Sequence, residues 1–356
     1  MAGSTTSRVA ALDGLRGLAA LAVVSSHVVV HLGLLPFAPL GSMGVIVFFA
    51  LSGYLVAGLV WRAPASWAAH RTFLRRRVVR LLPPVVLVVG AGGTALVLLG
   101  GLPWRDAVRG GALVLVQGTG LASGLGIAPV VPFHPTWSLT VEWVFYLLVP
   151  AALVALRARG RDERSVTRLL AGSAAVLYLV ALPLPAAAFY HLPVGTLAVL
   201  VAGAALATWH RVAPTTPVDP VRSAMALVML GLFVVLPGSG GGAGWRLAVV
   251  PATTLATLVL LHAVRAGDPV AGRLAAAPLR AVGQRAYSLY VWHVPVLWLV
   301  WTLTPDLGPW ARAAVALPVV ALVTVVAFEL VECPVLHPGV DRRRAPVPAV
   351  SAAPTP

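Results

Sequence analysis

The chain has 356 residues, 59% of them hydrophobic and only 10% charged, with a mean hydropathy of +0.91. A soluble domain carries about a quarter charged residues, and no soluble fold of this length could bury so much apolar surface and keep a polar exterior. The net charge is +15 and all 26 basic residues are arginine; they lie between apolar runs rather than on a polar domain, which argues against nucleic-acid binding and for membrane topology.

A bilayer core of about 30 Å is crossed by roughly 20 apolar residues in a helix. Such stretches occur near 11–33, 43–61, 81–101, 137–156, 169–188, 194–209, 222–237, 245–264, 284–303 and 310–333. The expected fold class is therefore all-α, a polytopic membrane helix bundle of about ten transmembrane helices. A further apolar stretch near 107–117 is too short to cross and reads as interfacial or re-entrant. Residues 1–335 form one membrane domain, and the Pro/Ala-rich 336–356 is expected to be a disordered cytoplasmic tail.

Alternate connections, beginning with the N-terminus, hold 21 arginines; the others hold 4, and Arg16 lies inside the first span. That asymmetry places both termini in the cytoplasm and the chain in the cell membrane as a multi-pass protein. The first span carries Asp13, Arg16 and His27 and lacks a small-residue cleavage site, so it reads as a retained helix. No internal repeat is evident, and no soluble domain is expected at either end. The single cysteine, Cys333, excludes a disulfide framework, an iron–sulfur cluster and a Cys-rich zinc site.

Ionisable groups inside spans cost a few kcal/mol each or more, about 3 on insertion scales, which makes them the default functional candidates. In Leu12-Asp13-Gly14-Leu15-Arg16-Gly17 the arginine precedes His27 by eleven residues, about three helical turns or 16 Å along one face. Asp13 can pair with Arg16 one turn away; the plainer reading is a snorkelling arginine and an unrelated buried histidine. His31, four residues after His27, has no third ligand nearby in sequence, so no metal is expected. Ser52, in Val47-Phe48-Phe49-Ala50-Leu51-Ser52-Gly53-Tyr54, can bond back to its own helix.

The run from His70 to Arg80, ended by Pro83-Pro84, holds Arg76, Arg77 and Arg80. It reads either as positive-inside topology or as a clamp of forked donors for a polyphosphate. In the fourth span Ser138, Glu142 and Tyr146 repeat at i+4 as one polar stripe, and Glu142 needs a partner on another span, a proton or water. The ninth span brings Tyr290 and His293 one turn apart. Glu332, in Glu332-Cys333-Pro334, sits at the cytoplasmic boundary, where an arginine partner would suffice as explanation.

Taken in order, these segments resemble the acyltransferase-3 family, bacterial multi-spanning membrane acyltransferases that modify polysaccharides, peptidoglycan, lipids and some antibiotics. The resemblance rests on Leu12 to Gly17 with His27, the Phe-Phe-x-Leu-Ser-Gly run ending at Gly53, and Arg76, Arg77 and Arg80. It continues with Trp137-Ser138-Leu139 followed by Glu142, Phe145 and Tyr146, then Tyr287-Ser288-Leu289-Tyr290 with Trp292-His293, and a closing Glu332-Cys333-Pro334. The chain departs from the pattern at Trp143, where a second acidic or polar residue is usual, and no fused hydrolase-like domain is expected.

The resemblance implies transfer of an acyl group, often acetyl, from acyl-CoA as co-substrate, with no bound cofactor, to a hydroxyl of a carbohydrate, lipid or macrolide acceptor. It makes Arg16, His27 and the Arg76, Arg77 and Arg80 cluster the functional residues. CoA phosphates would rest on the cluster, and His27 would act as general base or as a transient acyl carrier. Arg16 would orient the donor or meet an oxyanion. Glu142, Ser138 and Tyr146, entering from the extracytoplasmic side, would orient the acceptor hydroxyl, with Tyr290 and His293 as further substrate contacts. The competing class is a transporter or flippase of a lipid-linked sugar or small molecule, in which the same Arg, His and Glu would relay protons. The missing repeat and the lack of paired broken helices speak against it.

Overall fold

The computed structural model of the chain describes residues 2–33, 40–128, 130–213, 216–235 and 242–336. Every regular element among them is helical. The first half comprises α1 (Ala2–His31), α2 (Leu40–Arg62), α3 (Trp67–Leu98), α4 (Trp104–Leu115), α5 (Thr119–Gly124), α6 (Trp137–Ala158) and α7 (Glu163–Ala181). The second half comprises α8 (Ala186–His191), α9 (Gly195–Val212), α10 (Pro220–Val235), α11 (Trp245–Ala266), α12 (Val270–Leu274), α13 (Ala277–Gln284), α14 (Ala286–Leu303) and α15 (Pro309–Leu336).

Among the described residues, 9 helices are long and apolar enough to cross a membrane; the chain is a multi-pass membrane protein. The expected span at 222–237 corresponds to α10, of which the 16 residues Pro220–Val235 are described. Residues 236–237 of that expected span, and the expected tail beyond Leu336, lie outside the described residues. The short stretch expected at 107–117 is α4, with 12 residues.

Two boundaries differ from the sequence reading. The expected fifth span, 169–188, ends earlier: α7 stops at Ala181, before Pro183 and Pro185, and α8 with α9 builds the next crossing. The third span begins earlier than 81, because α3 runs unbroken from Trp67, capped by Ser66 accepting from the Ala69 amide. Pro83 and Pro84 do not end it. They leave the carbonyls of Val79 and Arg80 without their i+4 donors, yet Leu81, Pro84 and Val85 are buried against neighbouring helices and hold the backbone helical through a π turn at Val88–Gly92. The arginines therefore ride on the membrane-crossing helix itself rather than on a connection.

With lipid on the outside as apolar as the core, helix association depends on close packing, and glycines supply it here. A Cβ on Gly53 of α2 would lie 1.9 Å from the Leu200 carbonyl oxygen of α9, and one on Gly203 would lie 2.1 Å from that of Ala50. The second crossing joins α1 to α13, where a Cβ on Gly17 would be 2.0 Å from the Leu279 oxygen and one on Gly283 1.7 Å from that of Asp13. Gly14 meets the Leu274 carbonyl in the same way. The glycines of the Asp13 to Gly17 and Ser52-Gly53 segments are thus contact points, and they hold Arg16 and Ser52, their sequence neighbours, in register with α13 and α9.

Candidate active site

Helices α1, α2, α3, α6 and α14 enclose a cavity that gathers most of the polar residues singled out in the spans. Its walls include Arg16, Ser52, Arg77, Arg80, Ser138, Glu142, Tyr146 and Tyr290, with Phe48, Phe49, Leu139 and Tyr287 as apolar lining. It leaves about 180 Å³ to a water-sized sphere, room for several waters.

Arg16, which lines the cavity, is held by Asp13, Nη1 to Oδ1 at 2.7 Å, with both side chains partly exposed. Arg77 lies over two rings, 5.2 Å from the centroid of Phe73 and 5.0 Å from that of Tyr146, a stacked cation–π seat. Arg80 lines the cavity and also an outer groove with Arg76, Arg77 and His70. Its Nε is buried with no hydrogen-bond partner among the described residues. Arg76 reaches only the outer groove.

Glu142 finds its partners across the bundle. Ser52 Oγ donates to Glu142 Oε1 at 2.7 Å, and Tyr146 Oη donates to the same oxygen. The Ser52 hydroxyl, expected to bond within its own helix, instead ties α2 to α6. The stripe of Ser138, Glu142 and Tyr146 shares the cavity of the arginines rather than forming a separate acceptor site at the opposite face. At its deep end Tyr290 Oη donates to the Pro135 carbonyl and so receives the Ser138 hydroxyl proton, with an oxygen separation of 2.6 Å.

His27 and His293 do not line this cavity. They form a second centre behind Tyr290, whose ring lies 5.9 Å from that of His293. His293 is fully buried, and its Nε2 lies 3.1 Å from His27 Nδ1, the two rings edge to face at 4.9 Å. His27 Nδ1 also lies 2.9 Å from the Val23 carbonyl, and His31 stands 5.6 Å away, ring to ring. His293, grouped by sequence with the substrate contacts, touches His27 instead. Among the described residues no three His, Cys, Asp or Glu side chains converge where a metal ion could sit.

Glu332 corrects another expectation. It is buried and accepts a hydrogen bond from Ser288 rather than an arginine; the arginine of that region, Arg285, pairs with Glu329 at 3.3 Å. Tyr287, which the sequence reading named in the Tyr287 to Tyr290 run without giving it a role, donates its hydroxyl to the Leu81 carbonyl at 2.7 Å and so fastens α14 to the α3 arginine helix. The Tyr287/Tyr290 spacing of three was the available signal.

The model of the acyltransferase domain matches residues 9–330. The chain is 29% identical over 361 residues to BcsY, a candidate membrane-bound transacylase of Komagataeibacter xylinus, covering 95% of this chain and 85% of that one. It is 23% identical over 364 residues to the peptidoglycan O-acetyltransferase OatA of Listeria monocytogenes, covering 93% of this chain and 56% of OatA. Over 312 residues it is 25% identical to YrhL of Bacillus subtilis, a candidate peptidoglycan O-acetyltransferase, covering 80% of this chain and 48% of YrhL. The chain thus spans most of the first relative and about half the length of the other two. No solved structure matches it. A polytopic helical bundle matched almost end to end by this domain is a membrane acyltransferase that transfers groups other than amino-acyl groups, and the chain belongs to the acyltransferase-3 family.

Proposed function

We propose that the chain takes an acyl group, acetyl in the first instance, from acyl-CoA and passes it to a hydroxyl of a carbohydrate, a lipid-linked sugar or a secondary-metabolite acceptor. The observation that carries this reading is the charge of the cavity. Three guanidinium groups, Arg16, Arg77 and Arg80, outnumber the two carboxylates beside them, Glu142 and the Asp13 paired with Arg16. A net cationic cleft within a bilayer is stable when an anion completes it. The polyphosphate end of CoA is such an anion, and it suits the forked donors of arginine. Arg80, with a buried and unpartnered Nε, has a donor to give.

The phosphates would rest at Arg77 and Arg80, with Arg76 at the outer groove, and the pantetheine arm would run inward past Ser138 and Tyr290. Arg16 sits about 16 Å from His27 along α1, too far to share one reacting carbonyl with it, which favours a donor-binding role over an oxyanion role. His27 would take the proton of the acceptor hydroxyl as it attacks the thioester. In this reading both termini lie in the cytoplasm, so that the arginine end of the cavity opens where CoA thioesters are found.

The test is release of CoA thiol from acetyl-CoA by the protein in nanodiscs, supplied with a pool of envelope glycans, lipids and secondary metabolites. Thiol release that His27→Ala abolishes, with acetyl-CoA binding retained, is the expected result. Absence of both turnover and acyl-CoA binding would overturn the donor assignment and bring the transport reading forward.

A further inference from the structure

The hydrogen-bond geometry around His27 and His293 fixes where their protons sit. His293 Nδ1 faces two backbone carbonyls, Tyr290 at 2.7 Å and Leu289 at 3.2 Å. Carbonyl oxygens only accept, so Nδ1 must carry a hydrogen. In a neutral ring that leaves Nε2 as a lone-pair acceptor, and it is this atom that lies 3.1 Å from His27 Nδ1. His27 Nδ1 in turn faces only acceptors, the Val23 carbonyl at 2.9 Å and His293 Nε2, so it too carries its hydrogen. The lone pair of His27 is therefore on Nε2, which is the nitrogen available to a substrate. His27 retains some exposure while His293 has none. Among the described residues no carboxylate is hydrogen-bonded to either ring.

From this juxtaposition of a partly exposed and a fully buried imidazole we infer that His27 and His293 work as one base, with His293 as the positioning residue that receives charge. This rests on the acyl-CoA reading. In a Ser-His-Asp arrangement a carboxylate orients the histidine and steadies the imidazolium that forms. Here a second imidazole stands in that place. As the acceptor oxygen bonds to the thioester carbon, its proton passes to His27 Nε2. The Nδ1 proton of His27 is then shared with, or moves onto, His293 Nε2, while His293 Nδ1–H stays bonded to the Tyr290 carbonyl. When the C–S bond breaks, the leaving thiolate takes the proton back from His27 Nε2, and both rings return to neutral. No charge is left in the bundle, and the products are the acyl ester and free CoA thiol. The pair spreads a transient charge over two rings and three backbone carbonyls, where a single buried imidazolium would be costly.

Two measurements test the pair. With ¹⁵N-labelled histidine in nanodiscs, wild type should show a scalar coupling across the N–H···N hydrogen bond between His27 Nδ1 and His293 Nε2, assigned by its loss in His27→Ala. This readout needs no acyl-CoA. In turnover, His293→Leu should lower kcat by roughly 10- to 100-fold, part of what a positioned base supplies, and leave the KM for acetyl-CoA unchanged. His293→Gln, which keeps an acceptor near the Nε2 position, should restore a large share of kcat. No coupling in a folded protein, or a kcat within twofold of wild type in His293→Leu, overturns the pair. Where His293→Leu fails to fold, the coupling and the His293→Gln rate decide. Coupling present in a protein that releases no thiol from any acyl-CoA would leave the pair standing and remove the donor assignment; thiol release without coupling would do the reverse.

Discussion

Ser52 donates its hydroxyl to Glu142 across 2.7 Å, joining α2 to α6 at the wall of the cavity. Tyr146, almost fully buried, donates to the same oxygen. Glu142→Leu strands both hydroxyls, at about 1–3 kcal/mol for each one left unsatisfied. Glu142→Gln keeps an amide oxygen for them and should cost less than about 1 kcal/mol on the same grounds. Thermal unfolding in detergent should therefore rank wild type and Glu142→Gln close together and Glu142→Leu well below. Equal loss in both variants would mean that the carboxylate charge, not the hydrogen bonding, holds α2 to α6.

The glycine crossings make a sharper demand. At Gly53 and Gly283 an added Cβ meets a backbone carbonyl oxygen, at 1.9 Å and 1.7 Å respectively. No side chain can swing aside to relieve this, so α2 must leave α9, or α1 must leave α13. Gly53→Ala and Gly283→Ala should each cost about 3 kcal/mol or more, the upper end of overpacking, and lower the yield of folded protein. Gly58 is the control, since a Cβ there meets nothing within 4 Å. Gly58→Ala should be neutral or gain up to about 1 kcal/mol from helix propensity.

The arginines divide by position. Arg77 and Arg80 face both the inner cavity and the outer groove, and Arg76 only the groove. Loss of one charge-assisted hydrogen bond removes about 1.5–3 kcal/mol of binding, roughly 10- to 100-fold in affinity. Arg80→Ala should raise the KM for acyl-CoA by that order, and Arg76→Ala by less. Arg77→Lys should not rescue Arg77→Ala, because an ammonium cannot reproduce the planar stacking on Phe73 and Tyr146. Initial rates at fixed ionic strength check all three, with exposed Arg105 as a control that should leave KM unchanged.

Two carboxylates near the end of α15 should separate in the same way. Glu332 is buried with Ser288, so Glu332→Ala strands a hydroxyl at about 1–3 kcal/mol. Glu329 and Arg285 are partly exposed at 3.3 Å, and exposed pairs are worth about 0–1 kcal/mol. Chemical or thermal unfolding of Glu332→Ala and Glu329→Ala should show the larger loss in the first.

What the sequence made legible follows from the bilayer. Apolar length is a strong signal because every backbone polar group in lipid must be satisfied within a helix, so most spans fall where hydropathy places them. Pro83-Pro84 misled because packing of Leu81 and Val85 outweighs the missing donors. At the site, i+4 spacing put Ser138, Glu142 and Tyr146 on one face of α6. Spacing carries no information across helices, so Ser52 against Glu142, and His293 against His27, became visible only when α2 and α14 were seen beside α6 and α1. The glycines of the motifs were equally silent, since close approach is a property of two helices at once.

Sidedness is the remaining premise of the donor reading, and Cys333 makes it easy to examine. With Cys333→Ser as background the chain has no other cysteine. Arg161→Cys places a thiol on the exposed connection between α6 and α7, among the arginines counted as cytoplasmic. Asp306→Cys and Ile127→Cys place one on the exposed connections before α15 and before α6. In intact cells a membrane-impermeant maleimide should label positions 306 and 127, and label position 161 only after permeabilisation. The cavity's arginines sit in the N-terminal parts of the α1 and α3 spans, which alternation of the spans puts on the same side as position 161. Labelling of position 161 in intact cells would turn that cavity outward, away from CoA thioesters, and the arginines would then have to recognise an anion outside the cell membrane.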